Sequence, residues 1–273
     1  MVELKCFLHH HFIIINILVN NFIFWSYDLK NYRKSNWWNK TASTNISDKI
    51  TINRGDTKMI NILVHGLGQN EKSWNEVKNQ LNNKGINIET PNLFSIVKNY
   101  QVNYENIYKT FADYCNSFNE KINLVGLSLG GILAIDYITE FPEKINSIIL
   151  IGTPYKIPKT IFTIQNTIYK FMPKRIFEKI GCPKKDIIRL LDSMKNLSIP
   201  DKAPNIKSNT LIICGEKEKD NINMKSAKQL NKVIKNSKFK IIENAGHEVN
   251  IDNPKALSNV IYDFWKDCDK DIK

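Results

Sequence analysis

The sequence predicts an α/β domain: a mostly parallel sheet with helices on both faces and a small helical insertion. Three observations carry that expectation. Short, continuously apolar runs alternate with longer stretches whose apolar residues fall at helical spacing, the pattern of a sheet buried on both sides. A Gly-x-Ser-x-Gly pentapeptide, Gly126-Leu127-Ser128-Leu129-Gly130, joins one such run (121–125) to one such helix (131–138). Every other chemically suggestive stretch also follows a strand, and open α/β sheets bind ligands at the carboxyl ends of their strands.

The elements follow in order. Residues 49–53 read as a short strand, Arg54-Gly55-Asp56 as a turn and 59–64 as a core strand rich in β-branched residues. Ser73 is the expected cap of a helix through Trp74, Val77 and Leu81 that stops near Gly85. A strand at 86–89 ends at Pro91, and Ile107, Phe111 and Tyr114 share one face of a helix from 104 to about 118. The helix after the pentapeptide closes at Phe141-Pro142. Residues 147–151 form an all-apolar strand closed by Gly152-Thr153-Pro154. Beyond the insertion come a buried strand (210–214), a helix (225–235), a strand (239–242), a loop holding Gly246-His247 and a last helix (254–265).

At 273 residues the chain can bury the core of one such domain. The expected organisation is a tail over residues 1–45 and the domain over 46–273, with the insertion at about 154–204. In the tail, residues 11–25 are apolar but interrupted by Asn16, Asn20 and Asn21, shorter and more polar than a good bilayer span. Aromatic and basic residues follow, as beside a membrane interface. An anchor, a signal remnant and a start-site artefact all stay open for this segment. In the insertion, Ile161, Ile164, Ile168 and Phe171 are spaced as one apolar helix face that stops at Pro173. Ile187, Leu191 and Met194 suggest a second short helix.

The formal charge of +12 does not indicate nucleic acid. The chain has no zinc spacing, no aromatic ribonucleoprotein signature and no basic helix with a groove-reading face, so no nucleic-acid partner is expected. Isoleucine, asparagine and lysine abound throughout, so much of the lysine is compositional bias. Basic residues nevertheless concentrate between Pro154 and Asn209, with twelve Lys/Arg against four Asp/Glu. That is either a solvated surface or an attraction to anionic lipid or an acidic substrate. Five cysteines without a Cys-x-x-Cys pair argue against a disulfide framework and structural zinc. The expected location is cytoplasmic, with membrane association through the tail and the basic insertion as the variant reading.

A strand–turn–helix Gly-x-Ser-x-Gly segment is a nucleophile elbow, which exposes the serine on a sharp turn. Ser128 then needs a base, since a free hydroxyl is barely nucleophilic at neutral pH. Only His65 and His247 lie within the regular domain, and His247, in Asn244-Ala245-Gly246-His247-Glu248, is placed to serve. His65 and Gly66 end the first core strand. There the Leu67 N–H, beside that of Leu129, is an oxyanion donor, and His65 orients the loop. The third member belongs after the strand ending at Cys214, where Gly215-Glu216-Lys217-Glu218-Lys219-Asp220 offers three acids. Asp220 is favoured, with Glu218, at the usual spacing from Gly215, the alternative.

Through His65-Gly66, the Ser128 pentapeptide, the Gly215 acid loop, Gly246-His247 and Asn253-Pro254 with its helix, the chain resembles the α/β-hydrolase fold superfamily from about residue 49 onward. The resemblance implies a Ser-His-acid hydrolase that needs neither metal nor cofactor. It also implies that the insertion is a lid over an apolar acyl pocket, with Phe162, Tyr169 and Met172 as candidate lining beside His65 and Gly66. A carboxylic ester is the expected substrate. Thioesterase, C–C bond hydrolase and aminopeptidase chemistry, or a non-catalytic membrane-associated binding role, remain alternatives. One departure is that Thr90-Pro91-Asn92-Leu93-Phe94 stands where many relatives carry an Asp and a Gly-rich turn, which changes one wall of the pocket.

Overall fold

Isoleucine, leucine and valine fill the runs that become strands, because a strand covered on both faces has no polar side to offer. In a computed structural model, β1 (Ile60–Val64), β2 (Ile88–Glu89), β3 (Ile122–Leu127), β4 (Ile145–Ile151), β5 (Asn209–Gly215) and β6 (Ser237–Ile242) form one sheet. Their order is β2-β1-β3-β4-β5-β6, and every pair is parallel. The chain divides into a unit of residues 1–56 and one of residues 57–273. The structure describes residues 59–156, 158–219 and 221–270; the tail, the strand expected at 49–53 and Asp220 lie outside the described residues.

Helices α1 (Asn75–Asn82), α2 (Tyr104–Asn116), α3 (Leu129–Glu140), α7 (Ile222–Val233) and α8 (Pro254–Lys270) flank the sheet. On one face Trp74, Val77, Leu81, Leu257, Ile261 and Trp265 pack over strand residues such as Leu63, Val125, Ile149 and Ile213. The alternate strand residues Ile62, Leu124, Ile148, Leu150 and Ile212 are buried on the other face, where α3 meets β3 and β4 and α7 meets β5. Each such side chain stabilises the fold by about 1.5–3 kcal/mol.

Several expected boundaries move. The first helix is entered by a 3-10 turn, Glu71–Trp74, whose cap is Asn70 accepting from the Lys72 N–H; Ser73 is not the cap. β2 holds only two residues, whereas β4 and β6 begin two residues before their expected starts. Helix α7 starts at Ile222, capped by the Asn221 side chain, rather than at Lys225.

Between β4 and β5 the insertion forms α4 (Lys159–Phe171), α5 (Lys174–Ile180) and α6 (Lys184–Ser193), so a third helix joins the two expected. Phe162 and Asn166, one turn apart, are buried, whereas Phe171, assigned by spacing to the apolar face, is 86 % exposed. Its helix outruns the surface it packs on before the chain turns at Pro173. The insertion is tied back to α3 through Asp136, which accepts from Lys202 Nζ at 2.8 Å and from the Tyr104 hydroxyl at 2.8 Å. Among the described residues no helix is long and apolar enough to cross a membrane.

Topology fixes where chemistry can occur. The chain leaves β1 towards β2 on one side and returns as β3 on the other, so the strand order reverses between β1 and β3. The loops leaving those two strands carry His65-Gly66-Leu67 and Ser128, at the crevice such a reversal opens.

Candidate active site

Ser128 follows the last residue of β3 and precedes the first of α3, with φ 52° and ψ −108°. L-residues avoid this region, at a cost of about 1–3 kcal/mol, unless their surroundings impose it. Close approach imposes it here. A Cβ on Gly126 would lie 2.3 Å from the Gly130 carbonyl oxygen, and one on Gly130 would lie 2.4 Å from that of Val64. Only glycine lets strand and helix fold so tightly, and the residue between them absorbs the turn. The Ser128 N–H donates to the Ile151 carbonyl at 2.9 Å, while its own carbonyl accepts from Gly131 and Ile132 at 3.0 and 3.1 Å. The strained backbone is thus fixed on both sides, and Ser128 is left half-exposed above the sheet.

His247 reaches this point from the loop after β6. Gly152, next after Ile151, takes φ 52°, and a Cβ on it would lie 2.9 Å from both Cε1 and Nδ1 of the imidazole. The ring therefore rests on the backbone beside Ser128. Its Nδ1 is 3.2 Å from Oε1 of Glu218, which sits in a 3-10 turn after β5 and is 3 % exposed. Further donors to the Glu218 carboxylate are the Asn221 amide at 3.4 Å, the Asn223 amide and the Cys214 thiol at 3.4 Å. Burial would raise the Glu218 pKa, but the hydrogen bond and charge of His247, with Asn223 and Cys214, hold it below the ordinary value. Burial opposes the imidazolium of His247. The hydrogen bond and charge of Glu218, with the charges of Glu248 and Asp252, outweigh it and raise the pKa. A carboxylate only accepts, so Nδ1 carries the proton and the neutral ring keeps Nε2 as its basic nitrogen. Glu218, the alternative acid in the sequence, is thus the one bonded to His247; Asp220 lies outside the described residues.

His65 is fully buried and does a different job. Its Nε2 accepts from the Leu93 N–H at 3.1 Å, so its Nδ1 must carry the proton that goes to the Gly66 carbonyl at 2.9 Å. Burial lowers its pKa, against the Gly66 hydrogen bond and the Glu71 charge, so it stays neutral. The Gly66 carbonyl also accepts from the Gln69 N–H at 3.2 Å, in a turn where Gly68 takes φ 87°. In a planar trans peptide the N–H points opposite to the C=O, so the Leu67 N–H is turned away from His65 and Gln69. The turn lies against the elbow, since a Cβ on Gly66 would stand 3.3 Å from Ser128 Cβ. The Leu129 N–H belongs to the first turn of α3, where backbone donors have no partner within the helix.

No family model matches the chain. Similar solved structures include MenH from S. aureus, at TM-score 0.65 and 17 % identity over 79 % of this chain and 96 % of that one. An esterase from Exiguobacterium antarcticum gives 0.64 and 16 %, over 77 % and 92 %. A thioesterase domain from the curacin biosynthetic pathway gives 0.57 and 19 %, over 77 % and 93 %. In sequence, the alpha/beta hydrolase domain-containing protein VTE7 of Arabidopsis thaliana is 24 % identical over 173 residues, 52 % of each chain. The chain thus spans about half the length of that curated relative. Its fold is that of the α/β hydrolases.

Within this α/β-hydrolase fold, a buried amide pair links the two loops above the sheet. Gln69 Nε2 donates to Asn250 Oδ1 at 3.2 Å and to Glu248 Oε1 at 3.0 Å, and Asn250 Nδ2 donates back to Gln69 Oε1 at 3.3 Å. Ser73 joins through its hydroxyl to Gln69 and its carbonyl to Asn250. The turn holding Leu67 and the loop holding His247 are therefore one hydrogen-bonded unit. Neither Gln69 nor Asn250 announces itself in so asparagine-rich a chain. Their only signal is position, one residue past the glycine turn and three past the histidine.

The candidate pocket residues separate. Phe162 lines a cavity of about 20 Å³ with Ile132, Pro154, Tyr155, Met194 and Leu197, one helical turn along α3 from Ser128. That holds about one water. Tyr169 turns within the insertion to meet Phe177 edge-on, with ring centroids 5.9 Å apart.

Proposed function

We propose that this protein is a serine hydrolase that cleaves a carboxylic ester with an apolar acyl group through a covalent acyl-enzyme. The observation that carries this reading is the pairing of buried Glu218 with a His247 that rests on Gly152 beside a Ser128 held at φ 52°. His247 Nε2 takes the proton as Ser128 Oγ attacks the ester carbonyl. Glu218 balances the imidazolium without itself becoming protonated. The Leu67 and Leu129 N–H groups receive the oxyanion. His247 then gives its proton to the leaving alcohol. A water, deprotonated by the same nitrogen, attacks the acyl carbonyl and releases the acid and a restored Ser128. Glu218 takes the role in preference to Asp220 because Nδ1 has one proton to give and Glu218 accepts it.

His65 acts as a positioning residue: it holds the Gly66 carbonyl and so directs the Leu67 N–H. The insertion acts as the lid. The apolar side chains of Phe162 and Ile132, one helical turn along α3 from Ser128, favour an acyl chain over a charged substrate. The cavity of about 20 Å³ that they line has no room for that chain with the insertion in this position. Esterases and a thioesterase domain among the similar structures support acyl transfer to water, with thioesters the alternative that the same groups serve.

A fluorophosphonate probe tests the reading. The folded protein should be labelled at Ser128 and Ser128→Ala should not; folded protein that resists the probe would refute it. A panel of oxygen esters and thioesters of graded acyl length then sets the substrate class. Preference for charged or very short acyl groups would count against the apolar pocket.

A further inference from the structure

The corner between α4 and α5 carries an apolar side chain that the fold does not use. Phe171 is 86 % exposed, the most exposed of the large hydrophobic residues described, and it stands at the end of a helix instead of within a packed face. Its setting is basic. Lys170 precedes it, Lys174 and Arg175 open the next helix, and all three are exposed. Lys184 folds back on the same corner, its Nζ donating to the carbonyls of Lys170 and Met172 on either side of Phe171, and Lys185 beside it is exposed. From Lys156 to Lys185 the chain has eight Lys/Arg and one acid, Glu178, which is exposed on α5. The nearest following acids are engaged, Asp186 by Arg189 at 2.9 Å and Asp192 by Lys195 at 2.6 Å.

We propose that this corner docks the protein on an anionic lipid bilayer. Phe171 enters the boundary between headgroups and acyl chains, while Lys170, Lys174, Arg175 and Lys185 meet lipid phosphates. An aromatic ring set among cations is the arrangement such an interface accepts: apolar burial and attraction to the negative leaflet act together. Neither is sufficient alone, because one ring buries little area and one charge near the surface contributes modestly. Helix α4 connects this contact to the chemistry. Phe162 lies nine residues before Phe171, about 14 Å along the helix axis, and lines the cavity next to Ile132. A docked corner therefore holds Phe162, and through it the helix that follows Ser128, within one short helix of the membrane.

The inference stands apart from the Ser128 chemistry and is tested by binding. The full chain is sedimented with vesicles of phosphatidylcholine alone or with about one-third phosphatidylserine, in 0.1 and 0.5 M NaCl; the Debye length near 10 Å at 0.1 M shrinks at the higher salt. Expected is binding only to the anionic vesicles, lost at high salt. Lys174→Gln with Arg175→Gln should weaken it about 25-fold, at roughly fivefold per charge. Phe171→Ser should weaken it about tenfold. Every variant should keep wild-type fluorophosphonate labelling, because the altered side chains are exposed. Absence of vesicle binding, equal binding to neutral vesicles, or equal binding by wild type and corner variants would each overturn the proposal. The last outcome would assign binding to another part of the chain. Lost labelling with intact binding would instead count only against the hydrolase reading.

Discussion

The two ends of the same strands treat buried polar groups in opposite ways. At the amino end, the Asn123 amide donates to Asn61 Oδ1 at 2.9 Å, and Asn123 Oδ1 accepts from Asn146 at 2.8 Å and Ser147 at 2.7 Å. Asn61 passes the chain on to the Asn87 carbonyl at 3.1 Å. Registers that pair Asn61 with Asn123 and Asn123 with Ser147 stack these groups across three strands, and the run ends on a backbone carbonyl. At the carboxyl end, Ser128 is strained and half-exposed, and the Gly66 turn and the first turn of α3 border it. Size alone would mislead: a hollow of about 330 Å³ lies at the amino end beside Asn61 and Ile88, but it holds no nucleophile–base pair. Polar groups that satisfy one another hold a sheet together, whereas groups that are positioned but left open can act on a ligand.

The largest test exchanges stability for activity at opposite ends. If Ser128 is the proposed nucleophile, Ser128→Gly should cut kcat by about 10⁴-fold or more, since triad members act as a unit. It should also raise stability by about 1 kcal/mol, because glycine accepts φ 52° without strain. Asn123→Leu should leave kcat of the folded protein near wild type and cost about 2–4 kcal/mol, because it strands the Asn61, Asn146 and Ser147 partners. Denaturant midpoints and turnover per folded molecule read both. If Ser128→Gly were no more stable than wild type, the backbone there would store no strain.

Much of this contrast is legible in the sequence, and the rest fails for identifiable reasons. β3, β4 and β5 are apparent because a doubly covered strand must be apolar throughout. The elbow is apparent because close strand–helix approach demands glycines at fixed spacing. The helix cap is not: Asn70, Ser73 and Asn75 are all capping residue types, and the 3-10 entry that selects Asn70 has no separate mark. For the acid, spacing from Gly215 points to Glu218 and residue type to Asp220. The 3-10 turn at Glu216–Glu218 aims the longer Glu218 side chain at Nδ1, in agreement with the count from Gly215. Periodicity places Phe171 on the apolar side of α4 but is silent on whether the last turn has anything to pack against.

Next in size is Glu218→Gln. Loss of the carboxylate should lower the maximal rate by about 10³–10⁴-fold, as when a triad acid becomes an amide. The pH dependence gives the sign. In the wild type Glu218 raises the His247 pKa above 6.5, and on the proposed mechanism activity should fall as pH drops through it because the imidazolium cannot accept a proton. Without that charge the pKa falls, so the acid limb of kcat/KM moves to lower pH. Stability follows by linkage. The raised His247 pKa stabilises fully below 6.5 and is lost as pH rises through the folded value. The lowered Glu218 pKa stabilises above 4.5 and is lost as pH falls through the folded value. The deficit of Glu218→Gln relative to wild type should peak between those two ordinary values. An unmoved acid limb would mean that another group sets the His247 pKa.

Two glycines of like backbone sharpen the comparison further. Gly152 and Gly85 both hold positive φ, but a Cβ on Gly152 would press on the His247 ring at 2.9 Å, while one on Gly85, leading into β2, would meet nothing within 4 Å. Alanine at either position should cost about 1 kcal/mol in stability. Only Gly152→Ala should also lose about 100-fold in kcat, because it displaces the imidazole. Equal rates for the two variants would place the ring away from the reaction.

The smallest expected effect bears hardest on what separates the two ends. Gln69, like Asn123, is a buried amide within a network, so Gln69→Leu should cost stability on a similar scale, about 2–3 kcal/mol, by leaving Asn250 Oδ1 without its donor. Yet Gln69 joins the turn that carries Leu67 to the loop that carries His247, and loosening that link by a fraction of an ångström should lower kcat about tenfold. KM for a soluble ester should change little, since Gln69 acts through the placement of other groups and not by touching substrate. The acid limb should keep its wild-type position, because Glu218 still holds Nδ1. A tenfold fall in labelling rate with an unmoved pH profile would identify Gln69 as a positioning residue, built from the same chemistry as the amino-end ladder but used across two loops. A stability loss with a wild-type rate would make it one more rung of structural amide, and the boundary between scaffold and site would then run between Gln69 and His65.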